Sequence, residues 1–310
     1  MPSMPRPEKR NRKPMVLTHR DHEILSTVLD FGMLSTEQAS RLLFPSLSRA
    51  RKRLRLLWGH GLLTRHVRPV RMGEGSSALL YTLTRKGHTA MSVSDRPDRP
   101  VCNVRKSLAE HALRINDFRT ALTIALRRTE GLRMRTWGQG RELRFSAATV
   151  GPHGPRTVPI VPDAFFIIDG AGQDFCYFLE VDRGTTDHGR IRTKLEAYAS
   201  LWRSKAASLQ LGIRSFRVLY VTTTEKRLQR MLRVLQSLNT AVGRVDVINF
   251  TCFERYSLTQ PERVLKPIWH GVDQVTGSCR TVCPFPAPIP STLPIAPGKP
   301  PVGEPDAGAR

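Results

Sequence analysis

Two stretches decide how this chain folds: residues 161–168, VPDAFFII, and residues 177–183, YFLEVDR. Both are rich in Val, Ile, Phe and Tyr, and turn residues at 169–172 separate them, a pattern that predicts two strands of a hairpin. Residues 194–198, KLEAY, then lie in a segment whose apolar residues recur every three to four positions, as on the buried face of a helix. The sequence therefore predicts strand, strand and helix in this order.

Three carboxylates are predicted to meet at this hairpin. Asp163 and Glu180 face each other across the two strands, and Asp182 shares a face with Glu180 because it follows two residues later. Three acids on one face repel unless a cation binds, and carboxylate oxygens are ligands of Mg²⁺. We therefore predict Asp163, Glu180 and Asp182 as metal ligands. Taken singly, each acid is more typical of a turn or a solvated strand end than of a metal site.

This arrangement resembles the PD-(D/E)xK nuclease-like superfamily, and in detail it is similar to the replication-relaxation proteins of plasmids and other mobile elements. The resemblance implies a restriction-endonuclease-like domain, with Asp163 and Glu180 as catalytic acids and Mg²⁺ or Mn²⁺ as cofactor. The lysine of the motif is replaced by Asp182, which cannot supply a cation. Lys194, on the following helix, is the candidate replacement. The sequence thus leaves open whether the chain is an enzyme.

The charge balance indicates a polyanionic partner. Lys and Arg number 49 against 26 Asp and Glu, which gives a formal net charge of +23. No stretch approaches the roughly 18 apolar residues of a membrane-spanning helix, so we expect a cytoplasmic protein that binds double-stranded DNA and no membrane. The five cysteines are too scattered for a disulfide framework and are predicted to be unpaired thiols.

Residues 18–94 have the pattern of a winged helix-turn-helix domain. Thr18 with Asp21, and Ser35 with Gln38, have the spacing of capping pairs at the starts of two helices. A third helix is predicted from about residue 47 to residue 58, and two short strands around a loop containing Gly and Ser follow it. Three helices and a hairpin are the elements of a winged helix, in which the third helix docks in the major groove.

The third helix and the hairpin carry the predicted DNA contacts. Residues 47–71 contain eight Lys or Arg and no acid, whereas a face that is merely solvated tends to mix charges of both signs. The residues predicted to face bases are Ser48, Arg49 and Lys52. The residues predicted to contact phosphates are Arg51, Arg53, Arg55, Arg68 and Arg71.

The remaining sequence completes a map of the domains. Residues 1–17 are predicted to be a disordered basic arm, 95–104 a linker, 105–270 the nuclease-like domain, and 271–310 a disordered Pro-rich tail. The order helix, three strands, helix, strand, helix, strand in the second domain predicts a mixed sheet, hence an α/β domain in a chain that is α+β overall. In its first helix, His111 is predicted to be a packed or hydrogen-bonded residue, and Glu110 an acid that favours the helix dipole.

Three functions agree with these patterns. The first is a DNA-binding protein of plasmid or mobile-element replication or mobilisation whose nuclease-like domain is degenerate. The second is an active Mg²⁺-dependent DNA endonuclease or nickase. The third is a winged-helix transcriptional regulator or adaptor that recruits replication or relaxase proteins. The sequence does not distinguish a monomer from a homodimer.

Overall fold

The computed structural model describes residues 15–67, 79–91, 106–140, 143–151, 154–242 and 245–287. The amino-terminal module consists of α1 (His19–Phe31), β1 (Leu34–Ser35), α2 (Thr36–Leu43), α3 (Leu47–Gly59), β2 (Leu63–Val67), β3 (Leu79–Leu83) and α4 (Arg85–Thr89). The predicted three helices and hairpin are confirmed. The short strand β1 was not predicted; it pairs with β3 and gives a three-stranded sheet in the order β1-β3-β2. Residues 68–78, with the predicted contacts Arg68 and Arg71, lie outside the described residues.

Local side-chain hydrogen bonds set the helix starts of this module. The Thr18 hydroxyl accepts from the Asp21 backbone N–H, and the Asp21 carboxylate accepts from the Thr18 N–H in return. Ser35 and Gln38 repeat this reciprocal arrangement at α2. Both pairs are capping boxes, which satisfy amide donors that the first turn of a helix leaves unpaired. The capping pairs predicted from spacing are therefore confirmed.

The second domain consists of α5 (Lys106–Arg127), β4 (Leu132–Gly138), β5 (Phe145–Gly151), β6 (Gly154–Ile160), β7 (Ala164–Gly170), β8 (Gln173–Val181), α6 (His188–Ser204), α7 (Ala206–Leu211), β9 (Arg217–Thr222), α8 (Glu225–Val242), β10 (Ile248–Cys252), β11 (Trp269–Val272) and β12 (Cys279–Val282). The predicted order of helices and strands is confirmed, with additions. A β5–β6 hairpin is inserted between β4 and β7 and packs on α6, and strands β11 and β12 follow β10.

A mixed seven-stranded sheet in the order β12-β11-β10-β9-β8-β7-β4 forms the centre of this domain. Strands β7 and β8 are antiparallel, whereas β8, β9 and β10 run parallel to one another. Alternation along β8 sends Phe178 toward α6 and α8, and sends Tyr177 and Leu179 toward α5. Both faces are thus covered, and the mixed α+β fold predicted from the sequence is confirmed. The carboxyl ends of β8 and β9 meet at one edge, next to the start of β7.

The prediction of a disordered tail from residue 271 is wrong for residues 271–287. Strand β12 pairs antiparallel with β11, and Phe285 is buried against Trp269 and Tyr177. The Pro284 carbonyl accepts hydrogen bonds from the Tyr177 hydroxyl, 3.0 Å, and from Arg217 Nη1, 2.9 Å. Proline lacks an N–H, but its carbonyl still accepts, so a Pro-rich composition did not exclude this packing. Residues 288–310 lie outside the described residues.

Helix α5, predicted to open the second domain, is shared by both modules. Asn116 Nδ2 donates to the carbonyl oxygens of Phe31 and Met33, at 3.2 and 2.6 Å, and Gln38 Nε2 donates to Asp117 at 2.8 Å. The opposite side of α5 packs on the sheet. The predicted linker 95–104 lies outside the described residues, but the packing does not divide there, because one helix belongs to both cores.

Two other expectations concern cysteines and membranes. Cys176, Cys252, Cys279 and Cys283 are all free thiols, as predicted, and Cys102 lies outside the described residues. Among the helices described, none is long and apolar enough to cross a membrane.

Candidate functional site

Asp163 stands at the turn into β7 and is held by two donors. Its Oδ1 accepts from His111 Nε2 of α5 at 2.7 Å, and its Oδ2 accepts from the Val181 backbone N–H at 2.7 Å. The hydrogen bond to Asp163 raises the pKa of His111, although partial burial of the ring acts in the opposite direction. Asp163 and His111 therefore form a hydrogen-bonded acid–base pair that joins α5 to the edge of the sheet.

Glu180, near the end of β8, is only 2% exposed and contacts two side chains of α6. The Lys194 ammonium donates to one carboxylate oxygen and the Tyr198 hydroxyl to the other. Burial raises the pKa of Glu180 to about 7; Lys194 opposes this rise, and the nearby Asp163 carboxylate adds to it. Burial disfavours the charged form of Lys194, but attraction to Glu180 and Asp163 outweighs it and raises the Lys194 pKa. The sheet edge thus holds a buried glutamate with a lysine as its partner.

Asp182 lies two residues further on and has different partners. Its carboxylate accepts from the Thr222 hydroxyl at 2.7 Å, from Arg227 Nη2 at 3.0 Å and from Arg227 Nε. Arg227 Nη2 also donates to the Thr186 carbonyl at 2.6 Å. Burial raises the pKa of Asp182, but the hydrogen bonds from Arg227 and Thr222 outweigh it and leave the pKa lowered. Asp182 therefore links the end of β8 to the end of β9 and to the first turn of α8. Through Arg227 it is also connected to the loop before α6.

Each predicted metal ligand thus has its own basic partner in the protein. Asp163 pairs with His111, Glu180 with Lys194, and Asp182 with Arg227. In the part of the chain that the structure describes, no group of three His, Cys, Asp or Glu residues could hold a metal ion. A divalent ion at Asp163 and Glu180 would have to share these carboxylates with Lys194 and His111, which donate to them.

The structure brings together Asp163, Glu180 and Lys194, as the strand and helix pattern predicted, whereas Asp182 pairs with Arg227. His111 is hydrogen-bonded, as expected. Sequence analysis missed Tyr198, although its position four residues after Lys194 places both on one helix face. Arg227 was also missed, because a basic residue near the start of a predicted helix gives no sign that it pairs with Asp182.

Glu110, the acid expected to favour the dipole of α5, also forms an ion pair. Its carboxylate accepts a hydrogen bond from Arg183 Nη2 at 3.1 Å, and Arg183 directly follows Asp182 in the chain. This ion pair attaches α5 to the loop after β8. It adds one more protein cation to the acids at this edge of the sheet.

The second candidate site is the cationic face of α3. Side chains Ser48, Arg49, Arg51, Lys52 and Arg55 are all exposed. The opposite face of α3 is buried in the module through Ala50, Leu54, Leu57 and Trp58. It contains no acid, so within the helix nothing offsets its positive charge. The predicted DNA-facing residues of α3 are therefore accessible, with one exception.

That exception is Arg53, which was predicted to contact phosphate. Its guanidinium donates to both carboxylate oxygens of buried Asp21, with Nε at 2.5 Å from Oδ1. Arg65 of β2 likewise turns inward, with its guanidinium 3.6 Å from the centre of the Trp58 ring. Both cations are occupied within the module. Spacing alone could not reveal this, because Asp21 lies more than thirty residues before Arg53.

The pKa of Glu180 predicts a pH dependence of stability. The unfolded chain has the ordinary value of 4.5, and the folded chain has a value of about 7. The contribution of Glu180 is therefore fully present below the unfolded pKa and is lost as pH rises through the folded one. Glu180→Gln removes this titration. The unfolding free energy of wild type minus that of Glu180→Gln should fall by up to about 3 kcal/mol as pH rises from about 4.5 to about 8.

Urea denaturation across this pH range measures the difference. Asp182 has a lowered pKa, so its contribution has the opposite sign and is lost as pH falls through the folded value. The series with Asp182→Asn is therefore the control for general effects of acid on the fold. A wild-type to Glu180→Gln difference that does not change with pH would contradict this account of Glu180.

The fold and these two sites define a class of protein. It is an α+β protein in which a small module with an exposed cationic helix shares a helix with a mixed-sheet domain, and acids at the sheet edge are paired with bases.

Residues 25–213 match the family model described as replication-relaxation, so the chain belongs to the replication-relaxation family. Among solved structures, the restriction endonuclease FokI matches with 11% sequence identity and a TM-score of 0.31, over 78% of this chain and 43% of that one. The chain thus spans less than half the length of FokI. No curated protein matches the chain.

Proposed function

We propose that this chain is a cytoplasmic DNA-binding protein that acts in the replication or mobilisation of a plasmid or other mobile element. Its amino-terminal module acts as a winged helix and reads double-stranded DNA with α3. Its second domain is nuclease-like in fold but does not cut DNA. The observation that carries the proposal is the cationic face of α3, which is exposed and contains no acid.

The shape of α3 supports DNA reading. Its apolar residues fix the helix on the module, so the exposed side chains project from a rigid surface. The major groove of B-DNA admits one helix, and Arg and Lys on such a helix contact guanine edges or phosphates. Membership of the replication-relaxation family agrees with this use.

The pairing of acids with bases supports the loss of cutting. A metal-dependent nuclease needs carboxylates that can bind a divalent ion, and here Lys194 and His111 donate to Glu180 and Asp163. The lysine position of the motif is Asp182, whose charge is neutralised by Arg227. These side chains hold the sheet edge together with no need for an ion.

Selection of duplexes from a random library by the purified full chain tests the proposal. We expect enrichment of a preferred sequence, and weaker binding to a scrambled duplex of the same length. Recovery of a random pool after repeated rounds would remove sequence-specific reading from the proposal. Failure to retain any duplex in dilute salt would remove DNA binding altogether.

Metal-dependent nicking is the second candidate, favoured by one observation: Asp163, Glu180 and Lys194 do meet at the sheet edge. We expect the chain to leave supercoiled plasmid intact in Mg²⁺ or Mn²⁺ buffer, because Lys194 and His111 already donate to the carboxylates. Agarose gels of plasmid incubated with wild type and with Asp163→Ala provide the measurement. Nicking by wild type that Asp163→Ala abolishes would establish the enzyme and contradict the loss of cutting.

A further inference from the structure

Helix α8 carries a stripe of positive charge that lies outside both sites. Lys226, Arg230 and Arg233 are exposed and are spaced by four and three residues, so they share one face of the helix. The opposite face is buried in the core of the second domain through Leu228, Met231, Leu232, Leu235 and Leu238. The cationic stripe, as we call Lys226, Arg230 and Arg233, is therefore fixed in orientation by the core.

The neighbouring acids do not neutralise the cationic stripe. Glu225, the one acid of α8, accepts from Arg255 Nε and Nη2 at 2.8 and 2.9 Å and so is already paired. The fourth base of the helix, Arg227, turns inward to Asp182. Among the ion pairs formed within the described ranges, none involves a residue of the cationic stripe.

Exposed bases of α6 differ from those of the cationic stripe in having acid partners. Arg190 pairs with the N-cap residue Asp187, and Arg192 pairs with Glu196 one turn further on. On α8, like charges stand one turn apart, an arrangement that destabilises a helix. Binding of a polyanion would relieve this repulsion. An unpaired row of like charges is therefore more typical of a surface that binds a polyanion than of one that is only solvated.

From this geometry we infer that the cationic stripe is a second DNA-binding surface, which contacts backbone phosphates and reads no bases. This inference rests on the proposed function and adds to it a contact made by the second domain. The stripe rises about 10 Å along the helix axis, and phosphates of one DNA strand advance about 3.4 Å per nucleotide, so three cations match about three phosphates. Phosphate contacts of this kind add affinity and orientation without sequence preference.

The test measures how the affinity of the full chain for its selected duplex depends on salt. In the triple variant Lys226→Gln, Arg230→Gln and Arg233→Gln, the log-log slope should be shallower than that of wild type by up to about 2.7, since each lost phosphate contact removes about 0.9. The ratio of affinities for selected and scrambled duplexes should not change. Glutamine keeps helix propensity high, and loss of like-charge repulsion should leave Tm unchanged or raised.

A matched variant removes three exposed charges elsewhere: Arg203→Gln, Lys205→Asn and Arg214→Gln. We expect its slope to match that of wild type. If the slope of the α8 variant also matches wild type, the inference is wrong while the proposed function stands. If the wild-type chain binds no DNA, both fail. If the α8 variant keeps the wild-type DNA slope but loses sedimentation with anionic phosphatidylserine vesicles, the stripe serves a membrane surface, and the inference is again wrong.

Discussion

Asp182→Ala is expected to lower the free energy of unfolding by about 3–5 kcal/mol, because it leaves a largely buried guanidinium without its carboxylate. The Asp182 side chain is only 2% exposed and that of Arg227 only 15%, so water cannot replace the lost partner without rearrangement. The substitution also removes the acceptor of the Thr222 hydroxyl. Urea denaturation followed by circular dichroism near neutral pH measures the loss.

Two controls separate this mechanism from a general loss of packing. The double variant Asp182→Ala with Arg227→Met should be more stable than Asp182→Ala alone, because no uncompensated charge stays buried. Asp174→Ala removes an acid whose pair with Arg135 is well exposed and should change stability little. An Asp182→Ala protein within about 1 kcal/mol of wild type would contradict the structural role of this pair.

The contacts of Asp182 favour an acid over a lysine at this position. A lysine at position 182 would place an ammonium against the Arg227 guanidinium and would lose the Thr222 hydrogen bond. Thr222 and Arg227 both donate hydrogen bonds to the acid at this position. The acid at position 182 is thus coupled to Arg227 on α8.

Arg49→Ala combined with Lys52→Ala should remove most of the preference for the selected duplex. Each well-placed base contact discriminates against a wrong base by about 1–3 kcal/mol, which is roughly tenfold or more in affinity for each side chain. Both side chains are exposed on the outer face of α3, and neither supports the core. Competition between the selected and scrambled duplexes, followed by fluorescence anisotropy, measures the preference.

Arg51→Ala with Arg55→Ala provides the matched control on the same helix. These side chains are predicted to contact phosphates, so affinity should fall equally for both duplexes and the salt slope should become shallower by about 1.8. If the Arg49 and Lys52 variant instead weakens both duplexes equally, these two residues are backbone contacts. The reading face of the module would then have to be sought elsewhere.

Patterns with a fixed period made the fold predictable from the sequence. Strand pairs such as β7 and β8 were read from apolar runs and turns, and capping boxes at Thr18 and Ser35 from a spacing of three residues. The tail was misjudged because proline content says nothing about carbonyl acceptors or about the burial of Phe285. Strand β1 was missed because two residues are too few to show an alternation.

The candidate site was predicted only in part, because its charges are paired over long distances in the chain. Proximity of Asp163, Glu180 and Lys194 followed from strand and helix order. The partners His111 and Arg227 lie 52 and 45 residues from the acids they bind, so no local spacing reveals them. Arg53 shows the same effect in the amino-terminal module, because this residue, predicted to contact a DNA phosphate, pairs with Asp21 instead.

The proposed function depends on binding of double-stranded DNA through the exposed cationic helix α3. Its most direct test is the affinity of the purified full chain for duplex DNA at a series of salt concentrations. We expect log affinity to fall linearly with log salt, with a slope of about −0.9 for each phosphate neutralised. An affinity that does not change with salt, or no binding even in dilute buffer, would contradict the proposed function.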